Sequence, residues 1–239
     1  MIDFSKSESA VSEVIGNIMI FAIVITSVGI VLLAGGPLVE SGLDSAKMDY
    51  ITSTFLFLQS DTNRVAFNQI PFQNINLKLG GGSLILDSDS NISNITLQIN
   101  GTNFSCNDYI EYTYKGTHMA YINGGLYKLY NSQSTLISTQ MISAPRIFVR
   151  ENMTYVSLYH LNGNVSRAGR GSVLLMIHHN STLVDTFPFS NLTIDLQGSY
   201  ADVQGRYLEA QGFNRTTGNN YSLATDHVTI TQYFLNVNN

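Results

Sequence analysis

One cysteine, Cys106, in a chain of 239 residues excludes an intrachain disulfide and a metal cage built from several thiolates. Charge is scarce as well. Asp, Glu, Lys and Arg make up 12% of the residues, about half the roughly 25% of an ordinary soluble domain, and Asn, Ser and Thr take up the difference. The surface this predicts is polar without being ionic. The 12 basic residues are scattered singly under a formal net charge of -5, which leaves no basic stripe to neutralise phosphates and excludes nucleic acid as a partner. No internal repeat or low-complexity linker divides the chain, and about 200 residues outside its apolar run suffice for one domain with a real core.

Catalytic patterns are missing too. Hydrolysis calls for a Ser on a strained elbow or two poised carboxylates in a cleft. Gly169, Gly171 and Ser172 lack the elbow's spacing, and Gly80, Gly81 and Gly82 are not followed by the Lys and Ser/Thr of a phosphate loop. His178 and His179 are neighbours, so on a strand they point to opposite faces. His118, His160 and His227 fall in separate strand-like segments without zinc spacing. Asp87, Asp89 and Asn91 have the odd-numbered spacing of a calcium loop, but Ile92 stands at its Gly position and Gln98 at that of the bidentate Glu. We expect no enzyme, no metal and no cofactor. The thirteen tyrosines, Tyr121, Tyr127, Tyr155 and Tyr159 among them, fit amphipathic strands and are expected to pack a core.

What the chain does have is the stretch 10–34, AVSEVIGNIMIFAIVITSVGIVLLA. Residues 14–34 carry no formal charge, and about 20 such residues let a helix cross a hydrocarbon core of roughly 30 Å. A membrane-spanning helix is the expectation. Its one carboxylate, Glu13, sits at the upstream mouth of the run, where an unpaired charge drawn into lipid would cost about 2.5 to 3.5 kcal/mol. Gly35, Gly36 and Pro37 follow directly and predict a kink or short break. Leu43, Ala46, Tyr50, Ile51, Phe55 and Leu58 then mark an amphipathic helix over 44–59.

From residue 73 the apolar period changes to two. Ile75, Leu77 and Leu79, the turn at Gly80 to Gly82, and Leu84 with Leu86 predict a hairpin. Further strands are predicted over 95–99, 109–115, 119–122, 126–130, 146–149, 153–161, 172–178, 192–196 and 227–237, with Asn123, Gly124 and Gly125 as a turn. A short helix over 199–212 has Ser199 as its cap and Gly212 as its stop. The fold class is α+β, a single N-terminal transmembrane helix followed by a predominantly antiparallel β domain with few short helices.

Ten Asn-x-Ser/Thr sequons stand at Asn91, Asn94, Asn100, Asn103, Asn152, Asn164, Asn180, Asn191, Asn214 and Asn220, where about four are expected by chance. Such acceptors imply surface exposure in a secreted setting. The excess points to an extracellular, glycosylated domain.

The segment AVSEVIG followed by an apolar helix resembles the N-terminal signature of archaeal type IV pilins and pilin-like proteins. LKLGGGSLIL, MAYINGGLYK and GRYLEAQGF look like an uncharacterised archaeal pilin-like family in which a triple-Gly hairpin, an A-Y-x-x-G-G turn and a late G-R-Y helix recur in that order. The resemblance implies a leader over 1–10, cut between Ala10 and Val11 by a prepilin peptidase. It further implies a transmembrane and assembly helix over 11–36, a kinked helical stalk over 37–60 and an extracellular β-rich domain over 61–239. Glu13 would pair with the N-terminal amine of a neighbouring subunit. The expected function is that of a structural subunit of a cell-surface filament, with the membrane, the peptidase and other pilin-like subunits as partners. The alternative is a membrane-anchored extracellular binding module that does not polymerise.

Overall fold

The computed structural model describes residues 5–67, 69–130 and 138–239, without the side chains of residues 5–13 and 190. The chain divides into two units, Met1–Tyr50 and Ile51–Asn239.

Helix α1 (Ser5–Ala66) begins in the first unit and ends in the second, with Pro37 inside it. The break expected at 35–37 is absent, and the stretch 37–60 is part of the same helix. Proline costs the ladder one bond, to the Leu33 carbonyl, whereas ending one helix and starting another would orphan about four donors and four acceptors. Continuing is the cheaper solution. In the second unit Ile51, Phe55, Leu58, Thr62 and Val65 are all buried, an i, i+4, i+7 stripe that runs beyond the predicted end at 59. Leu43, Ala46 and Tyr50, predicted on that stripe, are exposed.

Two sheets make up the rest. The larger contains, in spatial order, β4 (Thr102–Cys106), β3 (Asn94–Ile99), β12 (Ser172–Gln197), β14 (Asn220–Asn238), β10 (Met153–Gly163) and β9 (Ile147–Arg150). In addition β1 (Phe72–Lys78) pairs with β12, and β13 (Asn214–Arg215) with β14. The smaller sheet has the order β11 (Val165–Gly169), β2 (Gly82–Asp87), β5 (Tyr109–Tyr114), β6 (Thr117–Ile122), β7 (Gly125–Tyr130) and β8 (Ser138–Ser143). Every pairing is antiparallel except β10 with β14. The α+β class with a predominantly antiparallel β domain is what the chain adopts.

The triple-Gly segment is a corner, not a hairpin. β1 pairs with β12 in the larger sheet and β2 with β11 and β5 in the smaller. Beside this corner the chain from β11 to β12 makes the same change of sheet, and the two are stitched by Leu79 N–H to the Gly171 carbonyl at 2.8 Å and Gly81 N–H to the Gly169 carbonyl at 2.7 Å. Gly80, Gly81 and Gly169 all have positive φ, which lets two adjacent strands bend together from one sheet into the other.

The true hairpins announce themselves differently. Asn100-Gly101, Lys115-Gly116 and Asn123-Gly124 each place two successive residues at positive φ between paired strand ends, as two-residue type I′ turns require. The strands predicted at 172–178 and 192–196 are the two ends of β12, which pairs with β14 from Met176 to Asp195 across a bulge at His179/Ser181.

Helix α2 (Ala201–Ala210) lies between the hydrophobic clusters of the two sheets: Ala201 and Leu208 pack with Ile194 and Ile230, while Val203 packs with Tyr109 and Tyr127. Its N-cap is Tyr200, with no side-chain cap bond; the predicted Ser199 is one residue too early because the turn at Gly198, φ +102, delivers the chain to the helix later. Gly212 does stop it. Gly212 N–H bonds the Glu209 carbonyl and Phe213 N–H the Leu208 carbonyl, both at 3.0 Å, a Schellman ending sealed by Phe213 and Leu208 in the same cluster.

Candidate functional site

Two features of the chain carry functional geometry, an apolar helical surface and a small cluster of metal-ligating side chains. Along α1, Ile18, Phe21, Val24, Val28, Val31, Leu32, Leu33 and Leu38 are all more than half exposed. Among the described residues, one helix is long and apolar enough to cross a membrane, and its apolar window has no part buried within the protein. The hydroxyls inside this stretch are already satisfied: Thr26 Oγ1 donates to the Ala22 carbonyl and Ser27 Oγ to the Ile23 carbonyl, each at 2.7 Å. Bonds back to residue i−4 remove the need for water. The surface is therefore fit for lipid or for other apolar helices. Ala10, Val11 and Glu13 lie on the helical backbone, but their side chains are outside the described residues, as is the start of the predicted 1–10 leader.

The second feature joins residues far apart in sequence. Cys106 ends β4, Asp108 lies in the link to β5, and His160 belongs to β10. Their Sγ, carboxylate and imidazole atoms lie within 4.8 Å of one another. His160 Nδ1 is 3.8 Å from Asp108 Oδ2, and Asp108 Oδ2 accepts the Leu161 N–H at 3.1 Å. The Cys106 thiol donates to the Tyr159 carbonyl at 3.2 Å. Burial, reinforced by the Asp108 charge, pushes the Cys106 thiol up to about 12. Burial likewise raises the Asp108 carboxyl, against the Leu161 N–H and His160, which lower it. A polar cleft of about 430 Å³, lined in part by Asp108, Leu161, Asn162, Asn164 and Ser166, opens beside the cluster.

The other sequence candidates stay apart. The His178 ring lies tilted beside Phe72, with ring centroids 5.7 Å apart, and His179 Nε2 meets Thr182 Oγ1 at 2.9 Å. Asp89 Oδ1 accepts both the backbone N–H and the side-chain amide of Asn91 at 2.9 Å, closing its own turn. Of the sequon residues, Asn91, Asn100, Asn103, Asn152, Asn164, Asn180, Asn191 and Asn214 are exposed, while Asn94 and Asn220 are half-buried. Asn152 Nδ2 donates to Asp226 Oδ2 at 2.6 Å, and Thr154, which completes that sequon, is buried.

A model of the DUF7289 family, a family of unknown function, matches residues 10–235. The chain belongs to this family. The match takes in the AVSEVIG segment and nearly all of the β-rich domain. An uncharacterized protein of Archaeoglobus fulgidus is 24% identical over 265 residues, covering 87% of this chain and 86% of its own. A second uncharacterized protein of that organism is 22% identical over 231 residues, covering 86% and 83%. No solved structure matches.

In this DUF7289 chain the sequence reading found the apolar helix and missed the cluster. Cys106 and His160 are brought together only because β4 and β10, separated by β3, β12 and β14 in the strand order, come into contact, and no local spacing encodes that. The one sequence signal is C-x-D, an inward cysteine two residues before an acid at a strand end.

Proposed function

We propose that this DUF7289 protein is a pilin-like structural subunit of an archaeal cell-surface filament. The observation that carries this reading is the exposed apolar surface of α1 continuing directly into a β-rich domain. In a membrane that surface faces lipid; in a filament it packs against the same surface of neighbouring subunits, at about 25 cal/mol for each Å² of apolar area removed from water. The AVSEVIG resemblance supplies the processing step, a prepilin peptidase cut between Ala10 and Val11 on the cytoplasmic side. The new amine at Val11 then pairs with Glu13 of a neighbour, offsetting the cost of a carboxylate at that depth. The sequons and their exposure support an extracellular position for the β-rich domain. Its role is structural, without catalysis.

A second reading, a membrane-anchored binding module that does not polymerise, draws on Leu183, Val184 and Phe189, which stand exposed on β12. The experiment that separates the two is the N-terminal sequence of the mature protein, by mass spectrometry of membranes and sheared surface material from native cells. A terminus at Val11, with Glu13→Ala abolishing recovery in the sheared fraction, is the filament result. An uncut terminus, with Glu13→Ala silent, establishes the anchor.

A further inference from the structure

We propose that Cys106, Asp108 and His160 form a binding site for a divalent transition-metal ion of the zinc class, a structural site separate from the assembly role. Tetrahedral zinc bonds of about 2.0–2.3 Å place neighbouring ligand atoms roughly 3.3–3.8 Å apart. The three donor atoms already lie within 4.8 Å of one another, so closing on an ion needs a contraction of about 1 Å.

Orientation supports the assignment. Gln232 presents Oε1 to His160 Nε2 at 3.2 Å, a contact that favours the tautomer with the hydrogen on Nε2 and leaves the Nδ1 lone pair, on the side of Asp108, for a metal ion. The imidazole is further held by Phe234, stacked at 4.6 Å with 10° between the planes. An outer partner that fixes tautomer and ring position is what a ligating histidine uses. Asp108 is fixed in turn by the Leu161 N–H.

Chemistry selects the ion. A thiolate, an imidazole and a carboxylate suit zinc and its neighbours, whereas calcium and magnesium take oxygen ligands alone. On binding, the Cys106 S–H bond to the Tyr159 carbonyl is given up, the proton leaves to solvent and an Sγ–metal bond forms. A water from the polar cleft that Asp108 lines would complete the coordination. The bound ion pins the β4–β5 link to β10.

The test uses the full chain in detergent micelles, titrated with cobalt(II) as the spectroscopic probe. The expected result is a thiolate-to-cobalt charge-transfer band with intense tetrahedral visible bands, saturating at one ion per chain and bleached by zinc. Zinc also raises the melting temperature of the unaltered protein, a readout that needs no variant. Cys106→Ser removes the charge-transfer band, and Asp108→Asn and His160→Gln each weaken zinc. Gln232→Ala keeps all three donors and weakens it by about 10- to 100-fold, as loss of an outer-shell partner does. Absence of the band, a band that survives Cys106→Ser, or a melting temperature indifferent to zinc overturns the assignment.

Discussion

The Tyr159 hydroxyl donates to Asn63 Oδ1 at 2.7 Å, joining the last turns of α1 to strand β10. The same tyrosine ring meets Tyr233 at 5.2 Å and Tyr121 at 6.4 Å, so one side chain links the helix end to both sheets. Tyr159→Phe and Asn63→Ala should each lower stability by about 1 kcal/mol, the net worth of a neutral hydrogen bond. The double variant should cost less than the sum, since the second change removes a partner already lost. Urea unfolding of the four proteins measures the coupling; strict additivity would mean that this bond contributes nothing.

The turn at Asn123-Gly124 sits at the same junction. Asn123 Oδ1 accepts the Tyr159 N–H at 3.1 Å, and the Gly124 carbonyl accepts from Gln59 Nε2 at 2.6 Å. Gly124 has φ +80, and a Cβ there would lie 2.7 Å from the Tyr159 ring. Gly101 has nearly the same φ, +79, in the same kind of turn, with nothing within 4 Å of a Cβ. Gly101→Ala should therefore cost only the left-handed backbone penalty of about 1 to 2 kcal/mol, and Gly124→Ala clearly more, because a packed ring must move as well. Equal losses in thermal unfolding would contradict the packing.

Tyr200, the N-cap of α2 without a side-chain cap bond, donates its hydroxyl to Glu111 Oε1 at 2.9 Å. Both residues are buried, and His118 Nδ1 stands 3.4 Å from Glu111 Oε2. Tyr200→Phe leaves a buried carboxylate short of a donor, and hydrogen bonds to charged groups are worth about 1.5 to 3 kcal/mol. The loss should exceed that of Tyr159→Phe. Adding Glu111→Leu to Tyr200→Phe should restore part of it, since the orphaned acceptor is then gone.

Alternation of apolar residues suits β3 and β10, where each side chain that points inward meets a core, whereas β5, β6 and β7 are buried on both faces over much of their length and were legible from their aromatic and branched runs and the Asn123-Gly124 turn. β4, β8 and β11 were not. Each ends a sheet, and TNFSC, STQMIS and VSRAG carry too few buried side chains to print a period. The middle of β12 was hidden by the opposite cause, since residues 180–184 are exposed throughout and nothing selects an apolar face. The triple-Gly corner was misread because a turn signal fixes where a chain bends, not which strand receives it. For the same reason the cysteine, aspartate and histidine of the proposed metal site could be placed on strands but not beside one another.

Alkali should unfold the β-rich domain through its tyrosines. Burial, aided by the charges of Asp87 and Glu111, holds Tyr109 up to about 12, and burial holds Tyr112 there as well. Burial raises Tyr121, Tyr127, Tyr159 and Tyr200 further still. A phenol whose folded value lies above its unfolded value of about 10 leaves the folded state with more bound protons than the unfolded one. Stability from this source is complete below pH 10 and falls as pH rises from 10 through 12. Tyrosinate absorbance should therefore show a late, steep rise that coincides with loss of the β-sheet circular dichroism signal. If these tyrosines ionised gradually around pH 10 with the sheet signal intact, their burial would be wrong.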